Sequence, residues 1–450
     1  MSARVAPVLA VAVLLVCASI GGVAQQRGQT GVSSQVNAPP TDTYVVEQGD
    51  RCQQIEPLST GETVESFYDY RNHETHSNDT DRMYSSYGTQ DLQEDNTSLL
   101  FLHEGTDGLS LVTVNDRVDG DTTGGIATFE FVGVPHESAW AVQDDNYTGE
   151  TNMAEWYGGD GWLGASLIWA EGRTDGGAIN GGLNGPFSLT VQPAFNDDAE
   201  FADADELYDP DFHDGGEIED WVVLSGDADD PDRATLPSLD EPVTIRTGTC
   251  DGPSVTYERH GNTSGPDTEG DGITATIDGA SEGDTVYLQP TAGTTDGVRF
   301  DGIEATGLDT DSTIRFESNQ PDGLPESPDD VQSLGHLSVT SDDELGEVSG
   351  TVTFSVDADL LNERGIEPDE LALYERGGDG WAESETTVRD ATGDSYEFSA
   401  SVSSLGGFTV APQQPSTITE SPMPGFGPVV ALSVIVALIG AAAIRTRRRE

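Results

Sequence analysis

Short apolar runs, separated by turns rich in Gly and Asp, fill most of this chain, and few are long enough for a helix. In the first half, β-branched and aromatic runs predict strands at Thr43–Val46, Leu99–His103, Ser110–Val114, Ile126–Val134, Trp140–Gln143, Trp162–Trp169, Phe187–Gln192, Trp221–Leu224 and Val243–Arg246. Alternation along Ile126–Val134 puts Ala127, Phe129, Phe131 and Gly133 on one face and Thr128, Glu130 and Val132 on the other. In the second half, strands are predicted at Thr285–Gln289, Ser312–Phe316, His336–Val339, Val348–Val356, Leu371–Tyr374, Trp381–Thr386, Tyr396–Val402 and Phe408–Val410. Helix is expected only near Glu62–Tyr70, Ala199–Leu207 and Asp359–Arg364, the last closed by Gly365. The expected fold is mainly β, with two β-sandwich domains in tandem, jelly-roll or immunoglobulin-like.

The two ends read differently. Met1–Ala24 has the layout of a secretory signal peptide: Arg4, an apolar core over Val5–Ile20, and small residues Gly22-Val23-Ala24 before a cut after Ala24. A lipoprotein reading would use Cys17, but Val16 stands where a small residue is expected. At the other end, the apolar run Pro428–Ile444 is followed by Arg445-Thr-Arg447-Arg448-Arg449-Glu450. This is a single hydrophobic helix at the short end of a span, with its arginines on the cytoplasmic side. The expected division is a signal peptide (1–24), a disordered linker (25–42), a first β-sandwich (43–252) and a second linker (253–272). An immunoglobulin-like domain (273–412), a spacer (413–423) and the C-terminal segment (424–450) complete it.

Charge changes the picture of where such a protein works. Asp and Glu number 82 against 19 basic residues, every one of them Arg. A lysine-free acidic surface suits concentrated salt, where the Debye length falls to about 3 Å at 1 M and self-repulsion is screened. The source is read as an extreme halophile. An acidic partner-binding or disordered protein is the alternative, but the acids are spread along the chain rather than gathered in tails. Nucleic acid is excluded as a partner, since no basic patch exists to neutralise phosphates.

Once Cys17 leaves with the signal, Cys52 and Cys250 remain, and an even pair in an exported chain predicts a disulfide. It would tie the start of the first domain to its end. Two free or metal-binding thiols are the alternative, although two cysteines alone make a poor metal site. Sequons at Asn78, Asn96, Asn146 and Asn262 offer glycosylation on exposed loops.

No catalytic constellation stands out. His73-Glu74-Thr75-His76 is one residue short of the zinc-protease spacing and reads as a solvated loop. Asp209-Pro-Asp211-Phe-His213-Asp214-Gly215 resembles a calcium loop, but His213 stands where an oxygen ligand belongs and no closing glutamate follows. Asp227–Asp232 is weaker still. The run from Asp175 through Gly176, Gly177 and Asn180 to Gly185 reads as tight turns between strands. Trp140, Trp156, Tyr157, Trp162, Trp169 and Trp221 fit a buried core better than an aromatic carbohydrate platform. No nucleophile elbow occurs, and paired carboxylates for glycoside hydrolysis cannot be picked out among so many acids. No cofactor and no metal site are assigned.

Two resemblances add to this reading. Val352-Thr-Phe354-Ser-Val356, Leu360–Arg364, Gly365-Ile366-Glu367-Pro368, Leu373-Tyr374-Glu375-Arg376, Asp379-Gly380-Trp381, Thr386, Tyr396-Glu-Phe398 and Phe408-Thr-Val410 together resemble the PGF-pre-PGF domain of archaeal surface proteins. The usual hydrophobic residue between the Trp and the Thr is replaced by Glu383-Ser384-Glu385. Pro424-Gly425-Phe426, with the span and terminal arginines behind it, resembles the PGF-CTERM sorting signal. That resemblance implies an archaeosortase as partner, removal of the tail, and attachment of the new C-terminus to a membrane lipid. Its Thr-rich spacer is short here, with Thr417 and Thr419.

The expected function is that of an exported cell-surface or envelope protein with a structural or interaction role. Its partners would be the secretion machinery, an archaeosortase, a membrane lipid anchor, and the S-layer or surface glycans. The alternatives are a carbohydrate-binding module, or a surface-anchored polysaccharide hydrolase in the first domain.

Overall fold

The computed structural model describes residues 43–70, 85–145, 154–203, 216–260, 272–281, 283–290, 297–308, 311–317, 328, 331–341, 345, 348–377, 380–392 and 394–414. The expected signal peptide, the linker 25–42, most of the spacer and the sorting segment lie outside these residues. Among the described residues the chain is mainly β, with two short helices and no helix long and apolar enough to cross a membrane.

The first lobe contains β1 (Tyr44–Gln48), β2 (Arg51–Ile55), β3 (Leu58–Ser59), α1 (Val64–Tyr68), β4 (Thr97–Gly105), β5 (Gly108–Asn115), β6 (Gly125–Val132) and β7 (Ala139–Gln143). It continues with β8 (Ala154–Gly159), β9 (Trp162–Trp169), β10 (Asp175–Asn180), β11 (Ser188–Phe195), β12 (Asp220–Ser225), β13 (Asp232–Thr235) and β14 (Val243–Thr247). One sheet runs β2-β1-β14-β11-β6-β9-β8. The other runs β13-β12-β4-β5-β10-β7, with β3 beside β4. The pairs of β4 with β12 and with β3 are parallel, a departure from the antiparallel pattern that alternation suggests.

Phe129, Phe131, Leu167, Trp169 and Leu189 from the first sheet meet Leu100, Leu102, Leu111, Ile179 and Trp221 from the second in one core. The opposite face of the second sheet is also covered. Leu99, Phe101, Val112 and Leu224 pack there with Val64 and Tyr68 of α1. Burial on both faces explains why Leu99-Leu100-Phe101-Leu102 is an unbroken apolar run.

The second lobe contains β15 (Ser254–His260), β16 (Gly272–Asp278), β17 (Thr285–Leu288), β18 (Val298–Thr306), β19 (Ser312–Glu317), β20 (Gly335–Ser341) and β21 (Ser349–Asp357). After it come α2 (Ala358–Arg364), β22 (Leu371–Gly377), β23 (Gly380–Glu383), β24 (Thr386–Thr392), β25 (Ser395–Val402) and β26 (Phe408–Pro412). Its sheets run β15-β16-β19-β20-β26-β22-β23 and β17-β18-β21-β25-β24. Their shared core includes Tyr257, Ile273, Phe316, Phe354 and Phe398. Gly365, at φ 66°, caps α2 in the left-handed conformation that glycine adopts without steric cost.

The expected linker 253–272 needs correction, because its first part is strand β15, paired along its whole length with β16. Only Val255 and Tyr257 signal the strand, and both are buried. The Tyr257 ring lies against Gly133 of the first lobe, where φ is 79° and an added Cβ would come within 2.4 Å of the ring. Val132, on the polar face of β6, packs into the second lobe's core. Beside it, Arg259 of β15 pairs with Glu130 and lies 3.8 Å from the centre of the Trp162 ring. The outward face of the first sheet is therefore an interface between the lobes.

Candidate functional site

The local chain around β7 and β10 makes a tight approach possible. β10 begins Asp175-Gly176-Gly177, and both glycines sit where no side chain fits. A Cβ on Gly176 would lie 2.1 Å from the Thr113 carbonyl oxygen, and one on Gly177 2.8 Å from that of Val142. This stretch, expected as turns, is thus a buried strand in its first half. Gly181 and Gly182, both at positive φ, supply the turn that follows. β7 pairs antiparallel with β10, Gln143 opposite Gly177. Its continuation, Asp144-Asp145, therefore reaches the start of β10. The Asp144 N–H donates to the Gly176 carbonyl at 3.2 Å. Asp145 turns the chain at φ 53°.

Three carboxylates meet there. Asp144, Asp145 and Asp175 each present an oxygen within 4.8 Å of the others. Their exposures are 0%, 8% and 1%, so the group belongs to the interior. α1 covers it from one side: the Tyr68 hydroxyl donates to Asp144 Oδ2 at 2.9 Å. Just beyond the helix, the Tyr70 hydroxyl donates to Asp145 Oδ1 at 3.4 Å. On β5, Asn115 stands opposite Asp175, and its Nδ2 donates to the Asp175 carbonyl at 3.0 Å.

The electrostatics follow from burial. Loss of water raises Asp144 well above the carboxylate range, and the charge of Asp145 adds to this. Asp175 is raised well above it too, first by burial and then by Asp145 and Asp144. Asp145 is pushed up to about 6 by burial, with the Arg173 guanidinium pulling the other way. One arginine against three buried carboxylates leaves negative charge that protons or a cation must balance.

A hydrolase is a poor fit to this geometry. Glycosidase carboxylates flank the scissile bond of a sugar that reaches them from solvent, at separations of about 5–9.5 Å. These three are enclosed, at 0%, 8% and 1% exposure, where no sugar reaches them. Elsewhere, the Thr60 hydroxyl lies 2.8 Å from His103 Nε2, but His103 Nδ1 is buried without a partner, so no third group orients the ring. The ring instead stacks on Phe67, with centroids 4.4 Å apart.

The residues singled out in the sequence fare as follows. Cys52 on β2 and Cys250, three residues past β14, form a disulfide with Cα atoms 5.7 Å apart. Asn96 is half-buried at φ 58° just before β4, and Ser98 of its sequon is wholly buried in that strand. Ala24, Asn78, Asn146, Asn262, Pro424, Gly425 and Phe426 lie outside the described residues, as do His73–His76 and residues 209–215. Asp227, Asp229 and Asp230 are exposed in the turn between β12 and β13, where the Asp229 N–H donates to Asp227 Oδ1, and Asp232 opens β13. Trp169 and Trp221 are buried in the core of the first lobe, with Trp140 and Trp156 half-buried against it. Trp162, buried beneath Arg259, and Tyr157, half-buried with its ring 5.9 Å from that of Trp162, stand outside that core. The carboxylate cluster was not singled out in the sequence. Its one local signal is an Asp pair ending a strand, which does not stand out against 82 acids.

Compared with models of known families, with curated proteins and with solved structures, the chain matches none.

Proposed function

We propose that this chain is an exported surface protein of a halophilic archaeon, with a structural or interaction role in the envelope. Its four sheets are read as two β-sandwich domains in tandem. The observation that carries the reading is the Cys52–Cys250 disulfide. Such a bond persists in oxidising surroundings, and it clasps the two ends of the first lobe against solvent outside the cell. The signal-like Met1–Ala24 and the sorting-like Pro424-Gly425-Phe426 supply entry to the export route and the exit from it. On this reading an archaeosortase removes the segment after the motif and leaves a lipid at the new C-terminus. Sequon glycans and neighbouring S-layer subunits would be the contacts of the mature body.

Trimming both ends removes Arg4, Arg445, Arg447, Arg448 and Arg449 against Glu450 alone, so the mature body is more acidic than the precursor. Mass spectrometry of the protein from membrane fractions tests the proposal. A mature N-terminus at Gln25 and no peptide from Val429–Ile444 are expected. Recovery of those C-terminal peptides from the mature protein would overturn the processing claim, and recovery of the whole precursor in the cytosol would overturn the export claim.

A further inference from the structure

The geometry points to a divalent-cation site of calcium type, formed by Asp144, Asp145 and Asp175 with the carboxamide oxygen of Asn115. A hard cation of this size takes oxygen ligands at about 2.3–2.6 Å, so two ligands on opposite sides of it stand about 4.8 Å apart. The three carboxylates fall inside that reach.

A second observation separates this group from the ordinary acidity of the chain. Asp175 Oδ2 and Asn115 Oδ1 are buried acceptors with no hydrogen-bond donor. Asp175 is 1% exposed and Asn115 wholly buried, and the two stand opposite each other in the β5–β10 ladder, on one face of the sheet. Asp116, also buried, shows the contrast. Its oxygens accept from Trp169 Nε1 at 3.0 Å and from the backbone N–H groups of Asn96 and Arg117. Native interiors seldom leave such acceptors unpaired, and a cation is what an oxygen without a donor can bind.

Charge and hydration narrow the class of ion. Arg173 acts on Asp145 and Asp175 and offsets one of the three negative charges. A divalent cation brings the group to neutrality, whereas a monovalent one leaves it anionic in the interior. Magnesium dehydrates reluctantly and keeps several waters, which an enclosed site of this kind does not accommodate; calcium accepts carboxylate and amide oxygens in irregular arrangements. The ion would pin the end of β7 to the starts of β10 and the end of β5, beneath Tyr68.

The test uses the full exported protein in molar KCl, which screens weak binding to surface carboxylates. After chelation, the urea midpoint is followed from micromolar to millimolar free calcium, and metal content is read by mass spectrometry. One calcium per chain is expected, with a midpoint that rises with the logarithm of free calcium once the site saturates. Asp175→Asn should abolish that dependence. Terbium offers a readout that needs no variant: excited through Tyr68 and Tyr70, it should luminesce at one equivalent and be displaced by calcium. The proposal is overturned by a midpoint indifferent to calcium in the wild-type protein, by an equal response to magnesium, by non-saturating terbium emission, or by an unchanged response in Asp175→Asn.

Discussion

Arg259→Met asks what holds the two lobes together. Arg259 rises from β15 of the second lobe, its side chain 2% exposed, and pairs with Glu130 of β6, 20% exposed. Its guanidinium also lies over the Trp162 ring. Methionine keeps the length and the apolar stem but removes the charge. Breaking a buried pair by deleting one partner costs about 3–5 kcal/mol, because the other charge is left stranded. Glu130 keeps some contact with water, which puts the expected cost at the lower end, about 3 kcal/mol. Loss of the cation–π contact adds about 0.5–1 kcal/mol. Urea titration in molar KCl, followed by tryptophan fluorescence, measures the change. The double variant Arg259→Met with Glu130→Gln should recover part of the loss, since it strands no charge. The reasoning fails if Arg259→Met shifts stability by less than about 0.5 kcal/mol, or if the two substitutions are additive.

Two more outcomes are expected. Cys52→Ser opens a loop whose ends are 198 residues apart, so the chain-entropy relation sets a loss of at most about 5 kcal/mol. Wild type and variant should then unfold alike under reductant and differently without it, and equal midpoints without reductant would count against the clasp. His103 lies below its usual 6.5 because burial disfavours the charged ring, with Asp107, Glu62 and Glu104 pulling the other way. Below 6.5 the unfolded chain therefore binds the proton more readily than the fold, so His103's contribution is complete above 6.5 and lost as pH falls through the window beneath it. His103→Gln should flatten that arm of the stability profile, and an unchanged slope would remove His103 as its source.

Some of this fold was legible in the residues themselves. Trp162–Trp169 was predicted to the residue, and the alternation in β6 put Phe129 and Phe131 on the core face. What period alone cannot say is what covers the other face. Glu130 and Val132 look like a solvent side, yet they meet β15. Strands with little apolar sequence escape the pattern: β2 reads Arg-Cys-Gln-Gln-Ile at a mostly exposed sheet edge, and β10 opens Asp-Gly-Gly, buried by close backbone packing. The candidate site was hidden for a related reason. Asp145 and Asp175 come together only through the β7–β10 pairing, with no fixed spacing to mark them. The Cys52–Cys250 pair could be read because two cysteines allow one pairing.

The scarcity of cations gives the arginine positions their meaning. At molar salt an ion pair in solvent is screened within a few ångströms, while one out of solvent is not. Arg246 is buried and donates through Nε and Nη2 to both oxygens of Glu47. Its Nη2 also reaches the carbonyls of Thr249 and Gly252, on either side of Cys250. Arg315, by contrast, pairs with Glu317 with side chains 43% and 34% exposed. Arg246→Gln should therefore cost several times more than Arg315→Gln, about 3 kcal/mol against under 1 kcal/mol, because it leaves the largely buried Glu47 carboxylate without its cation. Raising KCl from 0.1 M to 3 M should erase the Arg315 effect and leave most of the Arg246 effect. If salt erased both alike, the arginines would be acting as surface charges, and the few cations of this chain would not be placed for the interior.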